Sequence, residues 1–316
     1  MEFFNPNANI PFMSWRKVTV GISAFLILAS IVLLATRGLD LALDFTGGTL
    51  VEVEFEQPVE IEKVRTALDN AGFENFTVQS IGGAREAAMR LPPLVKGDQS
   101  VESQRQVAAA VAKALTSAGL KPTIKRSEFV GPQVGKELAE DGIIAVVFVI
   151  LTIMTYVAMR FEWRFGLAAI AGEAHDLIIT LGFVSLMGIS FDLTVLAGLL
   201  TVAGYSINDK VVVFDRVREI FRSARKLEPE EAINKAINNT LSRTIITGIT
   251  TFMALFSLYF LGGPVIEGFA MTVIFGIIIG TLSSIFFCNP LLLWLGVSKS
   301  DLQVVKKEDP ELALRP

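Results

Sequence analysis

Two residue types that build many catalytic and structural sites are almost absent from this chain. Its 316 residues include one cysteine, Cys288, and one histidine, His175. A single cysteine cannot form an internal disulfide, and one histidine without a His-Glu-x-x-His pattern does not supply the ligands of a zinc hydrolase. We therefore expect no redox chemistry, no metal centre and no cofactor.

An excess of basic charge is also missing. The net charge is -4 and the pI is about 5.3, and the basic residues cluster at the ends of apolar segments. A nucleic-acid partner is therefore not expected. A nucleotide-driven motor is not expected either, because the segment 131–137 (GPQVGKE) is one residue shorter than a phosphate-binding loop and has Glu137 where a serine or threonine would bind magnesium.

Long apolar runs dominate what is present. Hydrophobic residues make up 52% of the chain and the mean hydropathy is +0.54, which is typical of a membrane protein. A helix needs about 20 apolar residues to cross a bilayer. Six runs meet this length, and the last has an expected kink at Pro290: 18–35, 142–159, 165–187, 193–214, 244–261 and 269–295. The sequence predicts an α-helical polytopic membrane protein with six transmembrane helices, the first an uncleaved anchor.

The region between the first two runs is more polar and alternates between strand and helix periodicity. Residues 49–55 (TLVEVEF) alternate in strand fashion, and Ile61, Val64 and Leu68 recur at helical spacing. Further strands and a second helix complete the order βαββαβ, which is the split βαβ arrangement of an α+β ferredoxin-like domain. This fold alone implies no function.

Basic residues predict the orientation of the chain in the membrane. The connections near 160–164 and 215–235 are rich in lysine and arginine, whereas 188–192 and 262–268 contain none. By the positive-inside rule both termini are cytoplasmic. The tryptophans agree, because all three fall at the predicted cytoplasmic ends as an aromatic belt would: Trp15, Trp163 and Trp294.

Four parts of the chain follow from this topology. Residues 1–36 are a cytoplasmic N-terminus with the first helix, and 37–141 form a periplasmic ferredoxin-like domain between helices 1 and 2. Residues 142–296 contain helices 2 to 6 and a cytoplasmic amphipathic segment at 215–242, within which we expect a separate short helix at 229–239. Residues 297–316 are a charged cytoplasmic tail for which we expect disorder.

Charged residues inside the apolar runs are the candidate functional residues. Asp209 lies in the fourth run, where inserting a central ionised aspartate costs about 3 kcal/mol, and such residues are usually functional or paired. Glu173 and Asp176 lie on one face of the third helix, and Arg243 begins the fifth. The predicted topology brings all four to the cytoplasmic half of the membrane.

Several interpretations of these charges remain open. Asp209 could be a structural charge near enough to the interface to reach water, and a structural role for Arg243 is equally open. Lys210 and Arg164 are interpreted as charges that snorkel to water, and His175 is expected to point away from the acids. Asp176 and Asp209 could form the dyad of an aspartyl intramembrane protease, although its Gly-x-Gly-Asp signature is absent. A proton relay fits the residues best.

Four short motifs resemble those of one family. They are DFTGGT at 44–49, GPQVG at 131–135, GYSINDKVVVFDR at 204–216 and NTLSRT at 239–244. Together they resemble the SecF family, the smaller membrane subunits of bacterial SecD-SecF protein-export complexes, over nearly the whole chain. That family is related to the resistance-nodulation-division exporters, whose core has twelve helices, so this chain would supply half of such a core.

The resemblance implies a non-enzymatic accessory subunit of the Sec machinery. It would use the proton gradient with a SecD partner to promote translocation of unfolded polypeptides across the inner membrane. The implied partners are SecD, the SecYEG channel, YajC and unfolded secretory polypeptides. The acid of the YSIND motif and the arginine of LSRT are implicated in proton coupling in the family, and they correspond to Asp209 and Arg243. Glu173 and Asp176 are added from their spacing as a secondary relay.

Two further points stay open at this stage. The alternative function is a proton-coupled small-molecule exporter subunit of the resistance-nodulation-division type. Gly276 and Gly280 form a small-xxx-small pattern in the last helix that permits close helix contact. That contact could lie within this chain or with a second six-helix subunit.

Reporter fusions test the predicted orientation. A compartment-sensitive reporter fused after Val95 is expected to report the periplasm, and the same reporter after Lys226 is expected to report the cytoplasm. Immunoblots of both fusions control for expression. The same compartment at both sites would show that the six-helix topology is wrong.

Overall fold

A computed structural model describes residues 10–81, 83–92, 101–223 and 227–297. A 3-10 turn over Phe12–Trp15 precedes the first helix, and a π-helical turn over Ser284–Cys288 joins the last two. The elements in chain order are α1 (Arg16–Thr36), α2 (Leu43–Thr46), β1 (Gly48–Phe55), α3 (Ile61–Asn70), β2 (Thr77–Ser80), β3 (Glu86–Leu91), α4 (Val101–Ser117), β4 (Pro122–Val130), α5 (Pro132–Arg160), α6 (Trp163–Met187), α7 (Leu193–Ser223), α8 (Pro229–Leu261), α9 (Pro264–Ser283) and α10 (Asn289–Trp294).

The six predicted membrane crossings are confirmed as helices that are long and apolar enough to span a bilayer. They are α1, α5, α6, α7, α8, and α9 together with its extension. About half of α6, α7 and α9 is buried within the chain, whereas α1, α5 and α8 are largely exposed and apolar. The inner three helices therefore form the centre of the membrane domain, and the outer three present apolar side chains to lipid or to other subunits.

Three details of the membrane helices differ from the sequence-based predictions. The separate amphipathic helix expected at 229–239 is wrong, because α8 runs unbroken from Pro229 to Leu261. No glycine or proline interrupts it before the apolar run, so the polar part continues as helix. Helix α5 begins at Pro132, ten residues before its apolar run, because a proline suits the first turn of a helix. The irregularity expected at Pro290 is the π-helical turn that ends at Cys288.

The polar insertion between α1 and α5 folds with the predicted order βαββαβ. Its four strands form one antiparallel sheet in the order β2-β3-β1-β4. Apolar side chains of β1 and β3 pack against α3 and α4, which gives this domain a core of its own. The sheet order is compatible with the predicted ferredoxin-like arrangement, because β3 lies between β1 and β2 as in a split βαβ unit. The tail at 298–316, for which disorder was expected, lies outside the described residues.

Glycines fix the junction between the sheet domain and α5. Gly47 has a φ of +68°, and a Cβ there would lie 2.9 Å from Pro132 Cα. A Cβ on Gly135 would lie 2.8 Å from the Gly47 backbone nitrogen. The DFTGGT and GPQVG motifs therefore meet backbone to backbone, which explains why both contain glycine at this point.

A polar cluster ties the sheet domain to the connection between α6 and α7. Asp40 receives hydrogen bonds from Arg90 Nη1, Gln79 Nε2 and Ser190 Oγ, each at 3.0 Å. The backbones on both sides also pair, since Phe191 N donates to Asp40 O at 2.7 Å and Ala42 N donates to Phe191 O at 2.8 Å. Asp44 Oδ2 then accepts from the first amide of α7, Leu193 N, at 3.0 Å.

Small residues let α9 approach α7 closely. A Cβ on Gly276 would overlap the side chain of Val202, and a Cβ on Gly280 would lie 2.8 Å from Ser206 Oγ. The small-xxx-small pattern is therefore used inside this chain, and of the two alternatives left open above, the intramolecular contact is the one observed. This close approach brings the polar residues of both helices to one depth.

Substituting Gly135 tests the glycine junction. Gly135→Ala is expected to lower the thermal unfolding midpoint of the purified protein in detergent, because the added methyl group meets backbone that cannot rotate away, at a cost of about 1 to 3 kcal/mol. Gly21→Ala in α1 is the matched control, since nothing lies within 4 Å of a Cβ there. Equal midpoints for the two variants would mean that the junction does not contribute to stability.

Candidate functional site

Helices α6, α7 and the end of α9 meet around one buried carboxylate, Asp176. The residue is fully buried, and both of its oxygens have polar partners. Oδ2 accepts from Lys210 Nζ at 2.6 Å, from Ser283 Oγ at 2.8 Å and also from Ser206 Oγ. Oδ1 lies 2.7 Å from His175 Nδ1. A carboxylate with this many donors is well suited to remain ionised without water.

Lys210 is completely buried, so the expectation that it snorkels to water is wrong. Its ammonium donates to Asp176 Oδ2 at 2.6 Å, Ser206 Oγ at 2.5 Å and Glu173 Oε2 at 3.1 Å, which uses all three of its N–H groups. The stem crosses Gly172 of α6, where a Cβ would lie 2.8 Å from Lys210 Cε. Two carboxylates within reach stabilise the ammonium inside the bundle, and the glycine leaves room for the stem.

His175 points towards Asp176, so the expectation that it points away from the acids is also wrong. Besides the contact with Asp176, its ring stacks on Phe287 with the centroids 4.4 Å apart. Successive residues on a helix differ by about 100° in direction, but the imidazole is long enough to turn back to the carboxylate. Arg164, the other charge expected to snorkel, lies in the first turn of α6 with its guanidinium carbon 5.2 Å from the Trp163 ring centre.

Glu173 completes the group that we call the Asp176 cluster: Glu173, His175, Asp176, Ser206, Lys210 and Ser283. Its side chain is 7% exposed. Oε2 accepts the bond from Lys210, whereas Oε1 is buried and has no hydrogen-bond partner among the described residues. The cluster therefore contains one lysine for two carboxyl groups, and the second carboxyl is only half paired.

Asp209 precedes Lys210 in α7 but faces a different neighbour. It is 3% exposed, and its Oδ2 accepts a long hydrogen bond from Thr281 Oγ1 of α9 at 3.3 Å. Whereas Asp176 has four polar contacts, this single bond leaves Asp209 weakly held. Asp209 is thus buried among helices rather than near water, and it is poorly compensated as an ionised group.

Arg243 lies on α8 with its side chain exposed. No hydrogen bond or ion pair joins Arg243 to Asp209 among the described residues, so the predicted partners are not paired here. The predicted acids Glu173 and Asp176, by contrast, are brought together by Lys210.

The geometry does not assemble the other chemistries considered for these charges. Among the described residues, no hydrogen bond joins Asp176 to Asp209, which a shared-proton dyad requires. Within the same ranges, no group of three or more histidine, cysteine, aspartate or glutamate side chains could hold a metal ion.

Sequence reasoning missed four members of the Asp176 cluster: His175, Ser206, Lys210 and Ser283. Ser206 and Lys210 are four residues apart and share a face of α7, so their spacing could have located them together. Ser283 could not be found in this way, because its contact with Asp176 depends on the crossing of α9 over α6, which no local pattern records.

Replacing Lys210 tests how much the buried ion pairs of the Asp176 cluster contribute to stability. Lys210→Met is expected to destabilise the protein by about 3 to 5 kcal/mol, because it leaves two carboxyl groups buried without their charge partner. The double variant Lys210→Met with Asp176→Asn should recover part of this loss, and Lys63→Met, at a lysine side chain that is 67% exposed, should change the unfolding midpoint little. No recovery in the double variant would contradict the pairing seen here.

Comparisons with known proteins now place this geometry in a family. The family model of the protein export membrane protein SecD/SecF, C-terminal, matches residues 110–298, and that of the SecD/SecF GG motif matches residues 32–59. A "Protein translocase subunit SecF" from Vibrio alginolyticus is 47% identical, with 100% of this chain and 99% of that protein covered. One from Escherichia coli O157:H7 is 44% identical, with 94% and 92% covered.

Solved structures show the same relationship. A crystal structure of SecDF, a translocon-associated membrane protein from Thermus thermophilus, matches with a TM-score of 0.82 at 36% identity, covering 93% of this chain and 39% of that one. A crystal structure of SecDF in a super-membrane-facing form matches with a TM-score of 0.67 at 37% identity and the same coverage. The resemblance inferred from four short motifs is therefore confirmed, and the chain belongs to the SecF family of protein translocase subunits.

Proposed function

We propose that this chain is an accessory subunit of Sec protein export that uses the proton gradient, together with a SecD partner, to promote translocation of unfolded polypeptides across the inner membrane. In this role it is not an enzyme. The observation that carries the proton-coupling part is Asp209, a buried carboxyl group with a single long hydrogen bond inside a membrane helix. An intramembrane acid in this state is a natural carrier for a proton.

A second subunit would complete the site. Arg243 is exposed on the outer face of a membrane helix, and an arginine facing lipid is costly unless another group pairs with it. The chain matches only 39% of the SecDF chain, so the remaining part of that protein, or a separate SecD, would lie against it. Protonation of Asp209 would then let Arg243 change between Asp209 and an acid of the partner.

The remaining assignments follow from the same proposal. Residues 37–141 would be periplasmic, the segment 215–242 and both termini would be cytoplasmic, and the SecYEG channel, YajC and the unfolded client would be further partners. Glu173 and Asp176 would form a second station for protons beside Asp209. The names of the relatives favour protein export over the export of small molecules, because those relatives are called protein translocase subunits.

The free energy released when one proton crosses the membrane is enough to favour one of two conformations but not to switch between them completely. One charge that crosses 100 mV releases about 2.3 kcal/mol, so a gradient near 150 to 200 mV supplies roughly 4 kcal/mol. Moving a two-state equilibrium from 1:99 to 99:1 takes about 5.5 kcal/mol. One proton per cycle would therefore shift the balance between two forms strongly, and a complete switch would need more than one proton or help from the client.

Neutralising Asp209 tests the proposal. Asp209→Asn keeps the size of the side chain and removes its ability to take up a proton, so it is expected to abolish the part of protein export that depends on the gradient. Assembly with the partner and ATP-driven early translocation should persist. The measurement is protein translocation into inverted membrane vesicles, with and without an uncoupler.

Asp215→Asn is the matched control for this experiment. Asp215 lies in the same helix, but its side chain is 38% exposed and forms ion pairs with Arg160 and Arg218. Exposed pairs contribute about 0 to 1 kcal/mol, so this variant should export like the wild type. Full stimulation by the gradient in an assembled Asp209→Asn complex would refute the role given to Asp209.

A further inference from the structure

Glu173 and Asp176 are two buried acids that share one lysine. Among the described residues, Lys210 is the only basic side chain that bonds to Glu173, whereas Asp176 contacts both Lys210 and His175. If both acids were ionised, Glu173 would have only a share of one cation to compensate its buried charge. A buried group in this position takes up a proton rather than remaining charged.

Asp176 is the member of the pair that remains ionised. Three donors converge on its Oδ2, from Lys210, Ser206 and Ser283, and Oδ1 faces His175 Nδ1. Asp176 therefore has four polar contacts, whereas Glu173 has one. The hydrogen-bond geometry therefore keeps the negative charge on Asp176.

Glu173 has a free carboxyl oxygen that can carry a proton. Its Oε2 bonds to Lys210 at 3.1 Å, the longest of the three contacts of the ammonium, and its Oε1 is buried without a hydrogen-bond partner among the described residues. An ionised carboxylate with a bare, buried oxygen would be costly. A proton on Oε1 removes the charge and leaves Oε2 free to accept the bond from Lys210.

The groups that surround Glu173 agree with this assignment. On its own helix lie Asp176, which is negative, and His175, which is already paired with Asp176. Lys210 approaches from α7, and Cys288 of the π-helical turn is buried beside the lysine stem. Lys210 is thus the only basic side chain among these neighbours that contacts Glu173, and Asp176 holds it at the shorter distance of 2.6 Å.

From this geometry we propose that Glu173 is a proton-binding site separate from Asp209, occupied by a proton in the present arrangement while Lys210 and Asp176 form the permanent ion pair beside it. This inference deepens the proposed function and rests on it for its role in transport. Glu173 would exchange its proton when a shift of α6 against α7 moves Lys210 closer to it or further away. The protonation state itself is independent of transport.

Infrared spectroscopy of the purified protein in lipid nanodiscs tests the proposal. A protonated carboxyl group has a C=O stretching band that an ionised one lacks, and exchange into deuterium oxide shifts this band. At pH 7 the wild-type band is expected to lose the intensity of one carboxyl group in Glu173→Gln. In the wild type this part of the band is expected to shift when glutamate is labelled with ¹³C and to stay in place when aspartate is labelled. Glu231→Gln, at an exposed position at the start of α8, is the control and should leave the band unchanged.

The isotope comparison on the wild type keeps the test decisive if Glu173→Gln does not fold, because it needs no variant. Asp176→Asn adds an independent readout: it removes the acid that competes for Lys210, so Glu173 should ionise and the glutamate band should be lost. An unchanged band in Glu173→Gln, or a wild-type band that ¹³C-labelled glutamate does not shift, would overturn the assignment. The proposed export function has its own test in Asp209→Asn, so a failure of that function would leave the infrared result standing.

Discussion

The buried ion pair between Lys210 and Asp176 is the contact on which the centre of the membrane domain depends. It joins α6 to α7, and Ser283 brings α9 to the same carboxylate. Apolar contacts between membrane helices are weak guides to register, because lipid satisfies the same surfaces. A buried charge that must meet its partner is much more restrictive. This pair therefore fixes the register of the three inner helices, and with it the depth and direction of Asp209, the residue next to Lys210.

The two buried aspartates, Asp176 and Asp209, thus differ in how many polar partners they have. Asp176 has four polar partners and belongs to the framework, whereas Asp209 has one long bond, which comes from Thr281 of α9. Adjacent residues on α7 separate these tasks, because Lys210 faces inward to α6 while Asp209 faces α9. Lys210 thus holds α7 against α6, while the neighbouring Asp209 stays buried with a single long bond to α9.

The sequence was informative wherever a local pattern decides the structure. Alternating residues at 49–55 predicted β1, and apolar length predicted all six crossings. Local patterns failed for Lys210, because snorkelling is the usual behaviour of an isolated lysine and only the packed bundle shows that two acids are within reach. They failed for 229–239 for a related reason: polarity suggested an independent helix, while the unbroken backbone continues it into the membrane. The site is held together by hydrogen bonds between different helices, and no local sequence pattern records such contacts.

The hydrogen bond from the first amide of α7 to Asp44 has a consequence for the order of folding during synthesis. Asp44 and Leu193 are 149 positions apart, so at roughly 5 to 20 residues per second they leave the ribosome about 7 to 30 s apart. The short helix α2 and the glycine turn after it are therefore synthesised well before the start of α7, with which α2 forms its hydrogen bond. Contacts between residues so far apart in the chain form slowly, because the long loop between them must first be closed. The hydrogen bond from Leu193 to Asp44 therefore belongs to the contacts that form late, after the whole sheet domain has been synthesised.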